Sequence, residues 1–202
     1  MTRTFIAVEL DEEVRAYLEH ELRRLSALLP QVRWVDPATL HLTLAFLGEL
    51  DDQRLAQATE AALETARQGK PFTLRLSSLG TFGPRYQPRV VWVGIAGNLP
   101  RLLELQAALV ASLTSRAFPP EERAYSPHLT LARLKDPLSK PDLATLQRIL
   151  ASSQSAQTAS SHASSSPKST PPALPVAQIS VMKSESFPGG PHYTCLQSCP
   201  LG

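Results

Sequence analysis

The sequence predicts an α+β chain built on an internal duplication, and three observations predict it. The first is a repeat: His41-Leu42-Thr43-Leu44-Ala45-Phe46-Leu47 returns as His128-Leu129-Thr130-Leu131-Ala132-Arg133-Leu134, identical at six of seven positions. With only five histidines in 202 residues, chance rarely sets two of them in matched frames. The second is that the period of the apolar residues alternates along the chain between that of strands and that of helices. The third is that each repeat has a helical stretch before it and another after it. Duplication about a pseudo-twofold axis would bring the two histidine faces together in a central cleft.

Taken in order, Phe5 to Leu10 reads as a strand. Asp11 to about Leu29 reads as a helix with the stripe Val14, Leu18, Leu22, Leu25 and Leu29, its acids in the first turn as the helix dipole prefers. Asp36-Pro37 leads into the first repeat. In an extended segment His41, Thr43 and Ala45 share one face and Leu42 and Leu44 the other, with imidazole and hydroxyl roughly 6.6 Å apart. Gly48 ends that strand, and Asp51 or Asp52 caps a helix to Gly69. Phe72, Leu74 and Leu76 alternate as a strand does.

Glycines and prolines from Gly80 to Pro88 mark a loop, and the apolar run Val90 to Ile95 marks a buried strand. Asn98 and Pro100 start a helix carrying Leu102, Leu105, Leu109 and Leu113. After Phe118-Pro119-Pro120 comes the second repeat, with His128, Thr130 and Ala132 above Leu129 and Leu131. Pro141-Asp142 then opens a short helix to about Leu150. Residues 151–172 hold nine Ser, four Ala and three Pro with no Leu, Ile, Val or aromatic residue, so they read as a disordered insertion in which His162 is solvated. Order resumes with a strand from Val176 to Met182, and Gly189-Gly190 turns the chain into a last strand from His192 to Cys199.

Composition narrows the function. A content of 43% hydrophobic residues allows a real core, and a net charge of +2 does not suit coating long nucleic acid, although a small anion or one RNA end fits it. The first ten residues lack the apolar length of a signal peptide, and no stretch reaches that of a membrane span. Cys195 and Cys199, on one face of a strand about 13 Å apart, are too distant for a disulfide. A cytoplasmic, reduced protein is expected.

The paired His-Leu-Thr-Leu motifs lie 87 positions apart (128 minus 41). With Phe5-Ile6-Ala7-Val8, Phe82-Gly83, Arg89-Val90-Val91-Trp92, Ser126-Pro127-His128 and the stretch from Met182-Lys183-Ser184 to Tyr193, they resemble the two-histidine (2H) phosphoesterase superfamily. More narrowly, the chain resembles the bacterial and archaeal RNA 2',3'-cyclic phosphodiesterases, formerly called 2'-5' RNA ligases, over nearly its whole length. The resemblance implies a single bilobal domain of two pseudo-symmetric lobes, each with an antiparallel sheet and flanking helices, with the active-site cleft between them. It also implies hydrolysis of a terminal ribose 2',3'-cyclic phosphate to a 2'-phosphate, without metal or cofactor. His41 matches the proton donor and His128 the proton acceptor; Arg133 matches an arginine that contacts phosphate, and Phe46 an aromatic that stacks on the terminal base.

The chemistry also follows from the residues. Opening a cyclic phosphodiester in line needs a base on the entering oxygen and an acid on the leaving one. Two imidazoles, with ordinary pKa near 6.5, can hold those opposite states around neutrality. Thr43 and Thr130 can donate to the non-bridging oxygens, and the guanidinium fork of Arg133 suits an oxyanion. Strict alternation nonetheless puts Phe46 and Arg133 on the leucine face unless the strand ends or bulges. Zinc usually takes three or four ligands, and neither motif carries a second His, Cys or carboxylate at ligand spacing; His192, Cys195 and Cys199 do not form a set, because alternation turns His192 away from the thiols. The alternatives are a module that binds RNA ends without turnover, and ligation of a 2',3'-cyclic phosphate to a 5'-hydroxyl. A monomer is expected.

Overall fold

The computed structural model describes residues 1–159, 171–188 and 190–202. Its elements in chain order are β1 (Thr2–Glu9), α1 (Glu12–Leu28), a 3-10 turn at Pro37–Thr39, β2 (His41–Leu50), α2 (Asp52–Gln68), β3 (Phe72–Phe82), β4 (Val90–Gly97), α3 (Leu99–Ser115), β5 (His128–Arg133), α4 (Lys140–Ala159), β6 (Ala173–Val176), β7 (Gln178–Phe187) and β8 (Gly190–Pro200). The helices begin where the sequence offers a cap. The Asp11, Asp51 and Asn98 side chains accept from the amides of Val14, Arg54 and Arg101, and the Asp36 carboxylate does the same for the 3-10 turn.

The strands form two antiparallel four-stranded sheets, ordered β2-β1-β7-β8 and β5-β4-β3-β6. The expected two-lobed α+β architecture is what the chain adopts. Each sheet has its histidine strand at one edge, with the strand that precedes the intervening helix beside it. The second sheet comes from one continuous run of chain, while the first is assembled from the N-terminal and C-terminal strands. Leu42, Leu44, Leu129 and Leu131 are buried, each contributing roughly 1.5–3 kcal/mol. They belong to one core that runs through both halves, with Ile6, Leu74, Leu102 and Leu109.

Several boundaries differ from the sequence reading, each for a physical reason. The strand opened by His41 does not end at Gly48; it continues to Leu50 through an irregularity where Thr4 pairs with Gly48 and Phe5 with Phe46, leaving Leu47 unpaired, and Gly48 takes φ 74° there. Gly80 does not begin a loop. It lies inside β3 opposite Trp92, whose ring would be 2.2 Å from a Cβ at that position, so the glycine seats the indole. The loop is confined to residues 83–89.

The helix expected to stop near Leu150 runs to Ala159, so residues 151–159 of the expected insertion are helical. Alanine and glutamine favour helix once it is nucleated, and serine hydroxyls bond back one turn: Ser152 to the Arg148 carbonyl and Ser155 to that of Ala151. Ser153 reaches out of the helix and accepts from the Leu79 amide at 2.7 Å, beside the irregularity in β3. Residues 160–170, with His162, lie outside the described residues. Ala173–Val176 is a strand of the second sheet paired with β3, so the strand expected from Val176 to Met182 is divided: Val176 ends β6, and β7 begins at Gln178 in the first sheet. The two cysteines do not share a face: a register shift in β8 at Leu196 leaves Cys195 exposed and Cys199 buried.

Candidate active site

Both repeats fold with the same defect. In the first, Ala45 pairs with Ile6 and Thr43 with Ala7, so Leu44 faces no partner; in the second, Ala132 pairs with Val91 and Thr130 with Trp92, so Leu131 faces none. The extra residue stands three positions after the histidine in each copy. A bulge of this kind shifts the alternation by one. Ala45 and Ala132 are therefore buried beside Leu44 and Leu131 and do not share the histidine face, as strict alternation had it. Phe46 and Arg133 move the other way, out of the core: Phe46 is 58% exposed and Arg133 is exposed.

The two imidazoles are held alike. His41 Nδ1 lies 2.8 Å from the Thr39 carbonyl, and His128 Nδ1 lies 2.7 Å from the Ser126 carbonyl, two residues upstream in each case. A carbonyl only accepts, so in the neutral ring the proton sits on Nδ1 and the lone pair on Nε2. Each ring thus offers Nε2 as its working nitrogen. Thr43 and Thr130 are half-buried on the histidine side of their strands.

Aromatic residues brace each ring. Phe5 lies 4.6 Å from His41 between ring centroids, and Tyr193 meets His41 edge-on at 5.0 Å. Phe46 lies 6.3 Å from Phe5, so the exposed ring continues the same aromatic group. In the second lobe Phe82 meets His128 edge-on at 4.8 Å, and Trp92 stands 6.3 Å from it. The Trp92 indole N–H is buried and has no hydrogen-bond partner among the described residues.

Charge connects the lobes. Burial pushes the His41 pKa below its ordinary value; the Thr39 carbonyl partly opposes this, and Arg133 and His128 push it down further. Arg133 likewise acts on Tyr193, whose phenol burial holds up. His41 and Tyr193 from one sheet therefore lie within electrostatic reach of Arg133 from the other. No group of three or more His, Cys, Asp or Glu side chains is placed to hold a metal ion among the described residues. Arg89 donates to the Lys135 carbonyl at 3.2 Å.

The sequence reading did not single out Phe5, Tyr193, Phe82, Trp92 or Tyr125 as site residues. Phe5 and Tyr193 carried a signal, since each sits on a strand whose alternation could have been tested against that of the histidine strands. Tyr125 carried none, because its partner is a backbone carbonyl 82 residues away.

A two-lobed α+β fold with one imidazole held in the same way in each lobe is the arrangement that the resemblance to the two-histidine phosphoesterases implied. The family model described as LigT-like phosphoesterase matches twice, over residues 8–92 and 93–193, and the chain belongs to that family. The RNA 2',3'-cyclic phosphodiesterase of Methanothermobacter thermautotrophicus is 33% identical over 196 residues, 96% of each chain. That of Thermotoga maritima is 34% identical over 133 residues, 66% of this chain and 70% of its own. Among solved structures, TT0787 of Thermus thermophilus matches with a TM-score of 0.74 at 28% identity, covering 98% of this chain and 97% of its own. E. coli LigT in its apo form matches with a TM-score of 0.71 at 26% identity, covering 99% and 97%.

Proposed function

We propose that the protein is an RNA 2',3'-cyclic phosphodiesterase that opens the terminal cyclic phosphate to a 2'-phosphate by acid–base catalysis without metal. The observation that carries this reading is the pair of imidazoles, each tethered through Nδ1 to a backbone carbonyl and each with no hydrogen bond to Nε2 among the described residues. The relatives named RNA 2',3'-cyclic phosphodiesterase support the substrate class.

In the proposed step, water attacks phosphorus and gives a proton to His128 Nε2. The bond from phosphorus to the 3' oxygen breaks, and His41 gives its Nε2 proton to that oxygen. The products are a 3'-hydroxyl and a 2'-phosphate, and the two rings exchange protons with solvent to reset. Thr43, Thr130 and Arg133 donate to the non-bridging oxygens as charge gathers there. Phe46 stacks on the terminal base, which any base can satisfy. Burial and the charges of Arg133 and His128 lower the His41 pKa, so the ring takes up its proton as the anionic phosphate enters. We read the enzyme as a cytoplasmic monomer.

The test is a product assay in EDTA on an RNA ending in a 2',3'-cyclic phosphate. The parent is expected to yield a 2'-phosphate, and His41→Ala and His128→Ala each to lose about 10²- to 10⁴-fold. The pH profile of kcat/KM is expected to be bell-shaped. Tight binding without product, or a profile with a single limb, contradicts the reading.

A further inference from the structure

The two histidine strands are edge strands of separate sheets, so no ladder hydrogen bond fixes the distance between them. Contacts from elsewhere bring the lobes together: Val35 N–H donates to the Leu131 carbonyl at 2.9 Å, and the Gln106 amide to the Leu44 carbonyl at 3.4 Å. Gln106 is far along the chain from either histidine, while Val35 stands six residues before His41 across the Pro37–Thr39 turn. Tyr125 stands nearer, three residues before His128. Its hydroxyl donates to the Thr43 carbonyl at 3.1 Å, across the lobes, while the next residue, Ser126, supplies the carbonyl that orients His128.

We propose that Tyr125 is a positioning residue that sets the separation of the two histidines. Four consecutive residues do two tasks. Tyr125 grips the first motif at Thr43, two positions from His41, and Ser126 aims His128. Pro127 between Ser126 and His128 fixes its own φ and bars the helical region to Ser126, so the grip and the aim cannot drift apart. A tyrosine ring has only two side-chain torsions and packs here against the core, which makes the link stiff. Burial, reinforced by Glu121, raises the phenol pKa, so the donor keeps its proton across the working range.

The proposal rests on the two-histidine reading, and its test separates the two. Tyr125→Phe keeps the ring and removes the donor; Tyr17→Phe removes a hydroxyl from α1 and serves as the control. Two quantities are measured well below the melting temperature: turnover of a 2',3'-cyclic nucleotide, and the NMR titration midpoint of His41 in the substrate-free protein. Tyr125→Phe is expected to lower kcat about tenfold with KM within about twofold, since small misplacements of reacting groups act on the chemical step. It is also expected to raise the His41 midpoint, because the cations of the facing lobe recede. Tyr17→Phe should leave both unchanged. An unchanged His41 midpoint in Tyr125→Phe overturns the proposal, whatever the activity does, and so does a moved midpoint with unchanged kcat. A parent without turnover overturns the phosphodiesterase reading instead, while the midpoint still reports on Tyr125.

Discussion

His41 is the residue whose state decides whether the site can act as proposed. Burial and the charges of Arg133 and His128 all disfavour its cation, and only the Thr39 carbonyl favours it. Removing the Arg133 charge must therefore raise the pKa: Arg133→Met is expected to move the His41 NMR midpoint upward, and a downward or absent shift would place the guanidinium elsewhere. By the same sign, a phosphate anion in the cleft raises the His41 pKa, so product binds more tightly as pH falls through the raised value. Phe46 is proposed to have a different task. With a base stacked on it, Phe46→Ala should raise KM by about 5- to 100-fold with kcat little changed, the range a single stacked base is worth. A fall in kcat with constant KM would make Phe46 a support for Phe5 and His41 instead. Both histidines were legible in the sequence because a rare residue type recurs in an identical frame. The faces of Phe46 and Arg133 were not, because Leu44-Ala45 and Leu131-Ala132 carry no mark that distinguishes a bulge from regular strand.

At the scale of elements, the equivalent bulges at Leu44 and Leu131 each free a carbonyl from its ladder, and each carbonyl finds a donor from the other half of the chain, Gln106 and Val35. The strand irregularity thus turns the side chains and joins the lobes. Strands and helices were legible wherever the period was clear, as in α1 and α3. The reading failed where a residue known as a breaker had another task, as Gly80 does in seating Trp92, and where a polar stretch was helical. The Ser-rich end of α4 matters to the sheet beneath it. Ser153→Ala leaves the Leu79 amide without its acceptor, which is expected to cost about 1–2 kcal/mol in urea unfolding with activity unchanged. Wild-type stability in that variant would show the contact to be replaceable.

For the whole molecule, the duplicated order of elements places one histidine strand at the edge of each sheet and turns the two edges toward each other. The repeat made the duplication legible, but the way the first sheet closes was not, because the chain must cross from β6 in one sheet to β7 in the other between two short apolar runs. Both lobes are proposed to grip one phosphate. The most direct measurement follows the ring protons of His41 and His128 by NMR while a nucleoside 2'-monophosphate, the product group, is titrated in. Both rings are expected to shift along a single binding curve with one Kd. Movement of only one ring, or two curves with separate Kd values, would contradict a shared site.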